Sequence, residues 1–402
     1  MASRRAGDRD PEFNPTGTLI YKPYGATWDA TASPPMIWLA GYARNLCYIE
    51  RRAGDGTTMF AAQHHVFPGG VQSWGLKVFL LGDQVLLFGA AFDRDTANFR
   101  PALARYSHAM TLDTSFGDPL TPGNSVVPTP GVEDPSTLVA RVTAEHIYIL
   151  APGGGSRPNR LTRLMLGTGL LDLSFNGTGT LEISGVPGSD VRLKSFETAE
   201  SDSRIILVGD AIKPQQDVEV GVYVGVTRAG VLDSTFGEDG FIWPNLHEFG
   251  VRVFGSMRKQ QLVEAVVGLG AASDYWLFDG SPMVMSLNRD GSPDFDFNDG
   301  KPLWFPFERH TLVWTRGVQG EGSSLIAAGY RIDSNVELTL PAFGRIDANF
   351  EWDPNFGEEG KVVIGDFGRS KDEIHDMFVQ GDGLVVIFNR GDNSGELRRY
   401  FL

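Results

Sequence analysis

The sequence predicts an all-β fold, a single β-propeller, and two observations lead to that prediction. A segment built around one phenylalanine recurs at intervals near sixty residues, and short apolar runs separated by turn dipeptides fill the space between its copies. Apolar residues at helical spacing are almost absent. A repeated unit that cannot bury its own apolar face stacks on its neighbours, and about four short strands in each unit describe one propeller blade.

The recurring segment sets the repeat. Its copies are DPEFNPTG (10–17), LDTSFGDP (112–119), LDLSFNGTG (171–179), LDSTFGEDG (232–240), PDFDFNDG (293–300) and WDPNFGEEG (352–360). The anchor phenylalanines are Phe13, Phe116, Phe175, Phe236, Phe297 and Phe356. The last four intervals between them are 59, 61, 61 and 59 residues. The first interval is 103 residues, which leaves room for one further unit that lacks the motif.

The rest of each unit reads as strands. After the segment come a loop, an apolar strand, a turn such as QGEG or QGDG, and a very apolar strand such as VLLFG or IILVG. Continuous apolar runs of this length fit strands that are buried on both faces. Counting these strands predicts seven four-stranded blades in one domain, residues 1–402. If the unit at 21–70 is an insertion, the ring has six blades and residues 26–66 cover one face.

The two ends of the chain are expected to meet. The chain stops at ELRRYFL, where the next copy of the segment is due, and the N-terminal DPEFNPTG supplies such a copy. We therefore expect residues 10–22 to provide the closing strand of the C-terminal blade, residues 1–9 to be flexible, and repeats of about sixty residues to run from 70 to 402. Such closure removes exposed sheet edges that would otherwise favour aggregation.

These motifs resemble a known family. The pattern G-x-LD-[ST]-x-FG-x-x-G at a period near sixty, with QGDGLVVIF between copies, resembles the delta-sixty repeat family of β-propeller-like bacterial proteins. The resemblance covers nearly the whole chain and implies the fold. It implies no catalytic residues, because the family is defined by its repeat. The chain departs from the pattern near residues 52–66 and at Pro293, where the leucine of the motif is missing.

The residues of the motif have structural roles. Its Asp can close an Asx-type turn, its Phe can pack between neighbouring blades, and the Gly or Asn that follows suits a positive φ. The stretch DFDFNDG (294–300) begins like a calcium loop, but its glycine is one position late and Phe305 stands where a bidentate Glu belongs. We therefore predict neither a metal site nor a cofactor.

Charge and composition narrow the classes of partner. The formal net charge is −15, which argues against nucleic acid and anionic membranes as partners. No apolar run reaches the ~18 residues that would span a bilayer, so no membrane insertion is expected. No apolar region follows the N-terminal arginines, and Cys47 is the only cysteine. We expect a cytoplasmic location, or export by a route that needs no Sec signal peptide.

Basic residues are concentrated in the predicted innermost strands. Six such strands, at 74–81, 136–142, 190–197, 250–258, 311–318 and 373–379, carry seven basic and four acidic residues, against 35 and 50 in the whole chain. Arginine binds carboxylate, sulfate or phosphate, and tryptophan offers a flat apolar face. Alternatively, these cations form ion pairs between blades. The predicted ligand-binding residues at the axis are Lys77, Arg192, Lys194, Arg252, Trp74, Trp314 and Arg316.

Two histidines are candidates for proton transfer. His310 and His375 lie at the entrances to successive innermost strands, one blade apart, and a propeller axis can bring such residues together. The sequence has no nucleophile elbow, no phosphate-binding loop and no Cys/His cluster to accompany them.

Three functions remain open. The favoured one is a non-enzymatic binding or scaffold protein that uses its axial mouth or one face for a protein, a glycan or a small anionic or aromatic ligand. The alternative is an enzyme with an Arg/His/Trp-lined axial site that acts on an anionic or aromatic small molecule. A lectin with one sugar site per blade would need a polar–aromatic triplet in every unit, and none recurs outside the turn motif.

Overall fold

The computed structural model describes most of the chain: residues 5–15, 18–19, 22–30, 32, 34–58, 61–154, 157–184, 189–198, 204–212, 219–243, 250–259, 265–273, 281–288, 290–304, 311–320, 324–333, 338–365, 373–390 and 394–402. These residues hold 28 β-strands and two short 3-10 turns, Pro135–Thr137 and Asn298–Gly300. The all-β prediction is confirmed. Among the residues described, no helix is long and apolar enough to cross a membrane.

The strands pair into seven four-stranded antiparallel sheets. The first strand, β1 (Thr18–Leu19), belongs to the last sheet. Sheet 1 contains β2 (Lys22–Asp29), β3 (Met36–Ala43), β4 (Leu46–Ala53) and β5 (Gln63–His65). Sheet 2 contains β6 (Ser73–Leu81), β7 (Gln84–Asp93), β8 (Asn98–Ser107) and β9 (Asn124–Val126). Sheet 3 contains β10 (Val139–Val142), β11 (His146–Ala151), β12 (Asn159–Met165) and β13 (Thr180–Ile183).

The remaining four sheets have the same order of strands. Sheet 4 contains β14 (Asp190–Thr198), β15 (Arg204–Ile212), β16 (Glu219–Thr227) and β17 (Phe241–Ile242). Sheet 5 contains β18 (Gly250–Lys259), β19 (Ala265–Ser273), β20 (Ser281–Asn288) and β21 (Leu303–Trp304). Sheet 6 contains β22 (Thr311–Gln319), β23 (Leu325–Asp333), β24 (Leu338–Ile346) and β25 (Lys361–Val363). Sheet 7 contains β26 (Glu373–Gln380), β27 (Gly383–Asn389), β28 (Gly395–Phe401) and β1.

The hydrophobic core is distributed between the sheets. Each sheet shares a buried apolar cluster with the next, and sheets 7 and 1 share one in which Leu39 meets Val385 and Ile387. The second strands are almost wholly buried, as their continuous apolar runs predicted. The sheets therefore close on themselves as a β-propeller, which confirms the predicted fold. The unit at 21–70, on which the choice between seven and six blades rested, forms sheet 1.

The N-terminal segment closes sheet 7, as predicted. β1 pairs antiparallel with β28, with Thr18 opposite Glu396. Earlier in the chain, the Gly7 N–H donates to the Phe401 carbonyl at 2.7 Å, and the backbone of Arg9 forms an antiparallel β-bridge with that of Tyr400. Backbone contacts thus join residues 7–9 to β28, and the prediction that residues 1–9 are flexible stays a prediction. These residues satisfy backbone groups of β28 that an open edge would expose. Residues 1–4 lie outside the described part.

A β-bulge shapes the innermost strand of six sheets. Between the first and second strands of every sheet except sheet 3, the register shifts by one residue at the same height. In sheet 6, Trp314 lies opposite Gly329 and Arg316 lies opposite Ala328, so Thr315 is the extra residue. Because side chains alternate along a strand, the bulge places Trp314 and Arg316 on opposite faces.

The recurring segment forms a turn that we call the clasp, at residues 9–13, 112–116, 171–175, 232–236, 293–297 and 352–356. In the third sheet, the Asp172 N–H donates to the Arg163 carbonyl of β12, and Asp172 Oδ1 accepts from the Ser174 N–H at 3.0 Å. The Ser174 hydroxyl donates to the same oxygen at 2.7 Å. The predicted Asx-type turn is confirmed. In the fifth sheet, Asp294 makes the same kind of turn and accepts from the Ser286 hydroxyl.

An arginine completes most clasps. Arg163 reaches Asp172 Oδ2 at 2.7 Å and its guanidinium carbon lies 4.8 Å from the centre of the Phe175 ring. The strand pairings place an arginine at this register on the third strand of five sheets, and Gly225 and Ser286 take its place in sheets 4 and 5. These five arginines are Arg51, Arg105, Arg163, Arg345 and Arg399.

Each clasp joins its sheet to the next. Phe175 is fully buried, and a Cβ on Gly230 of sheet 4 would lie 2.8 Å from its ring. The next residue, Asn176, donates its N–H to the Ala229 carbonyl at 2.7 Å. The Arg163 guanidinium donates to the Arg228 carbonyl of the same turn. The predicted role of the phenylalanine as a wedge between blades is confirmed.

The ring closes through the same contacts. Just after the clasp at 352–356, the Gly357 N–H of sheet 6 donates to the Ala6 carbonyl at 2.8 Å. Just after the clasp at 9–13, the Asn14 N–H donates to the Asp55 carbonyl of sheet 1 at 2.7 Å. In that clasp, Arg399 reaches Asp10 at 2.8 Å. The N-terminal segment thus takes the place of the clasp that the C-terminal unit lacks.

Replacing Phe175 by alanine should destabilise the protein by about 3–5 kcal/mol, because it empties a fully buried site between two sheets. Phe295 provides a matched control, since it stands in an equivalent clasp with its side chain 71% exposed. Phe295→Ala should change the free energy of unfolding by no more than about 0.5 kcal/mol. Chemical denaturation of both variants measures the difference, and equal effects would contradict the wedge role.

Acid should loosen the clasps. Hydrogen bonds from Ser115 lower the pKa of Asp113, and burial, which alone would raise the pKa of Asp172 and Asp233, is outweighed by their hydroxyl, N–H and arginine partners. A carboxylate with a depressed folded-state pKa stabilises the fold above its unfolded pKa of about 3.9, and this contribution disappears as pH falls through the folded value.

The triple variant Asp113→Asn, Asp172→Asn, Asp233→Asn should therefore lose less stability between pH 5 and pH 3 than the natural protein loses. Denaturation midpoints across that range measure the effect. Glu238→Gln, on the exposed tip of a clasp, should leave the pH profile as it is. An unchanged profile in the triple variant would contradict the assignment of the acid sensitivity to the clasps.

Candidate functional site at the propeller axis

The innermost strands enclose a cavity of about 670 Å³ on the axis. Its described lining comes from β2, β6, β7, β10, β14, β22 and β26, with the 3-10 turn before β10 and residues 152–153 after β11. Five basic side chains and one carboxylate line it, although the protein as a whole is acidic. The predicted excess of positive charge at the axis is therefore present in the described lining. These charged residues are Lys77, Arg141, Arg192, Lys194, Arg316 and Asp376.

Lys77 and Asp376 form an ion pair that passes over a whole strand. Lys77 belongs to β6 and Asp376 to β26, and β2 lies between them around the ring. The pair is possible because Gly25 stands on β2 at this height, where a Cβ would lie 2.9 Å from Lys77 Cδ. Asp376 also accepts the N–H of Ala26 at 3.0 Å. Lys77 therefore ties sheet 2 to sheet 7 across sheet 1.

Three further cations of the lining have carboxylate partners. Arg141 of β10 holds Glu197 of β14 with a shortest contact of 2.8 Å, so it bridges sheets 3 and 4. Arg192 reaches Asp190 on its own strand at 3.1 Å. Lys194, the bulged residue of β14, pairs with a buried aspartate, Asp210, of β15. For Arg141 and Lys77, the interpretation as ion pairs between blades is correct.

Arg316 differs from these four cations. Its Nε–H donates to the His375 carbonyl at 3.2 Å and its Nη1 donates to the Thr315 carbonyl at 2.8 Å. No carboxylate of the described residues lies within ion-pairing distance of it. A guanidinium carries five N–H donors, so three have no hydrogen-bond partner in the described part of the protein.

The electrostatic setting of Arg316 favours an incoming anion. Burial lowers the pKa of its guanidinium, Asp376 raises that pKa, and the positive charge of Arg141 lowers it again. Burial and a like charge both penalise the cationic form, and a bound anion would compensate both effects. Arg316 lies at the register position that Lys77 and Asp376 hold in their own sheets, directly after the bulge.

His375 lies at the cavity and His310 is outside the described residues. His375 is the bulged residue of β26; its Nε2 lies 3.4 Å from Glu373 Oε2, and its ring meets Tyr24 edge-on at 4.8 Å. The hydrogen bond from His375 lowers the pKa of Glu373. The proposed approach of the two histidines is untested, because only one of them is described.

The predicted aromatic residues do not line the cavity. Trp314 is fully buried in the core between sheets 5 and 6, so the prediction that it contacts an axial ligand is wrong. The bulge turns it to the face opposite Arg316. Trp74 stacks on Tyr42 at 4.5 Å and meets Tyr24 at 5.1 Å, next to the cavity rather than in its lining. Arg252 lies on β18, and its side chain is outside the described residues.

Sequence reasoning missed the aromatic residues that line the cavity in the described part of the protein, which are Tyr24, Phe79 and Phe88. Tyr24 is the bulged residue of β2, and burial raises the pKa of its phenol. The sequence around Tyr24 gave only a weak indication of this position, because Gly25 follows it and the strand resembles a turn. The clasp arginines had a clearer signal: Arg105, Arg163 and Arg345 each precede the clasp Asp by eight or nine residues.

The described residues contain no group of three or more His, Cys, Asp or Glu side chains arranged to hold a metal ion. In the segment 294–300, the Asp294 side chain is 2% exposed, and its oxygens accept hydrogen bonds from the Ser286 hydroxyl and from the Asp296 N–H.

Replacing Gly25 by alanine should strongly destabilise the protein, because the added Cβ would lie 2.3 Å from the Leu76 carbonyl oxygen and would block the path of Lys77. We expect a loss of at least about 1–3 kcal/mol from the overpacking alone. Gly365→Ala is the control, since a Cβ there has open space around it. Denaturation curves compare the two, and equal stability would contradict the crossing of Lys77 over β2.

Comparison with known proteins gives likeness of fold. No family model and no curated protein matches the chain. Among solved structures, extracellular domains 1–2 of Drosophila Semaphorin 1b match at 10% identity and a TM-score of 0.48, over 100% of this chain and 88% of that chain. The Dos1 propeller matches at 10% identity and 0.44, over 90% and 74%. Puromycin hydrolase matches at 11% identity and 0.45, over 92% and 51%. At these identities the likeness concerns the fold alone.

Proposed function

We propose that this protein is a non-enzymatic binding protein whose axial cavity takes a small anionic ligand. The observation that carries the proposal is Arg316: of the five cations in the described lining, it has no carboxylate partner among the described residues, and three of its N–H donors are without a partner there. The Arg316 guanidinium is partly buried and contacts only carbonyl groups of the described residues, so part of its lost hydration is uncompensated there. A carboxylate, sulfate or phosphate would supply the missing acceptors as charge-assisted hydrogen bonds.

The neighbouring ion pairs support this role because their cations already have carboxylate partners. Lys77 is held by Asp376, and Arg141 is held by Glu197, so the charges of these two cations are already balanced by protein carboxylates. They also fix the wall around Arg316. A ligand site needs such rigid support, because a charged group that must be reoriented loses binding energy to its own ordering.

The enzymatic alternative rests on His375. This side chain lines the same cavity, and its backbone carbonyl accepts the Arg316 Nε–H. A general acid or base beside an anion-binding arginine is a workable pair. The Nε2 of His375 already faces Glu373 Oε2 at 3.4 Å on its own strand, so we prefer the binding role. Turnover of a bound anion that His375→Ala abolishes would replace the binding role with the enzymatic one.

Titration calorimetry with sulfate, phosphate and benzoate tests the proposal. At least one of these anions should bind the natural protein, and Arg316→Ala should weaken that binding about tenfold or more, since hydrogen bonds to a charged group contribute about 1.5–3 kcal/mol. Arg228→Ala is the control, because that side chain is 56% exposed and pairs at the surface with Glu145. Its affinity should equal that of the natural protein.

Two results would contradict the proposal. One is the absence of binding by all three anions at low ionic strength. The other is binding of the same strength in Arg316→Ala and the natural protein, which would place the anion elsewhere. Higher salt should weaken binding only modestly, because a buried pair is screened less than a surface pair.

A further inference from the structure

The wall of the axial cavity is interrupted at sheet 3. Its innermost strand, β10, has four residues, whereas the innermost strands of the other sheets have eight to ten. The 3-10 turn Pro135–Thr137 takes the place of the first half of the strand, and Asp134 caps it through the Ser136 N–H. Sheet 3 is also the one without the bulge.

Asn159 keeps this interruption stable. It is almost fully buried, its Oδ1 accepts the N–H groups of Gly153 and Leu193, and its Nδ2 donates to the Val191 carbonyl at 2.9 Å. These backbone groups belong to the segment after β11 and to β14, so Asn159 joins sheets 3 and 4 beside the shortened strand. Because they are satisfied by one side chain, the shortened strand leaves no unpaired groups at these positions and the gap can persist.

The gap opens the cavity toward apolar side chains of two sheets. Phe88 of β7, the second strand of sheet 2, lines the cavity together with residues of β6 and β10. We call this part of the cavity the apolar cleft. Its lining is Leu76, Phe79, Phe88, Leu138, Val139 and Ala140.

The apolar cleft and Arg316 belong to one continuous cavity but have opposite chemistry. Val139 and Phe79 line the cavity and are only partly buried. Phe79 packs against the core between sheets 2 and 3, to which Leu138 and Ala140 belong. The other side of the cavity carries Arg316 and Asp376. A purely polar anion would leave the apolar wall in contact with water, and an apolar group placed there would remove that contact.

We propose that the ligand of the axial cavity is an amphiphilic anion, a carboxylate whose alkyl or aryl body enters the apolar cleft while its head group binds Arg316. This inference rests on the proposed anion-binding function and specifies its ligand class. Arginine offers paired N–H donors that match a carboxylate, and the cleft contributes affinity in proportion to the apolar surface it covers.

Titration calorimetry with straight-chain carboxylates from butanoate to octanoate tests the inference at constant head-group charge. Affinity should rise with each added methylene, by up to about fourfold for a fully buried group, until the cleft is filled. Val139→Phe, which fills the cleft, should remove this dependence on chain length, so that octanoate binds no more tightly than butanoate. Arg316→Ala should lower the affinity for every chain by the same factor.

A second variant keeps the test sharp if Val139→Phe is poorly folded. Phe79→Ala enlarges the cleft, so the chain length of tightest binding should move to longer carboxylates. Equal affinity for butanoate and octanoate in the natural protein would overturn the inference and leave the anion site standing. Octanoate binding that Arg316→Ala does not weaken would overturn the anion site itself.

Discussion

The clasp is the interaction on which the ring depends. In each typical unit one buried phenylalanine, one aspartate and one arginine meet. In two of these clasps, those of Arg105 and Arg163, the guanidinium also donates to the backbone of the next sheet. The apolar wedge supplies most of the stabilisation, since removing a buried aromatic side chain costs about 3–5 kcal/mol, whereas the attraction within a buried ion pair is largely offset by the cost of dehydrating both charges. The polar contacts fix the angle between sheets. Without that angle the strands would still pair, but the axial cavity would have no defined shape.

The axis is built in the opposite way to the packed spaces between the sheets. There the side chains do not fill the space between the strands, and charge is arranged around it. Gly25 is the clearest case, because the missing side chain lets Lys77 reach Asp376 across an intervening strand. The same region loses half a strand in sheet 3, where the 3-10 turn at Pro135–Thr137 opens the apolar cleft. Positive charge on one side and apolar surface on the other follow from these two local departures from the repeat.

Much of the fold could be predicted from the sequence, and less of the site. The period near sixty and the position of Phe175 and its equivalents gave the register of every clasp, and the strands between them followed. The prediction for Trp314 failed because strand alternation assigns each side chain to a face by counting residues, and the bulge at Thr315 changes that count by one. Bulges depend on pairing with the neighbouring strand, so a single strand does not reveal them. The carboxylate partners of Lys77 and Arg141 could not be predicted for a related reason, since each partner lies on another sheet. Arg316 was found because composition alone placed cations on the innermost strands.

The central claim is that Arg316 and the apolar cleft hold one ligand between them. A crystal structure of the protein soaked with 4-bromobenzoate tests it most directly, because the anomalous signal of bromine locates the ring independently of the refined coordinates. The account predicts the carboxylate within hydrogen-bonding distance of the Arg316 guanidinium and the bromine among Phe79, Leu138 and Val139. A bromine peak at the outer surface, or an Arg316 side chain paired with a carboxylate of the protein itself, would contradict it.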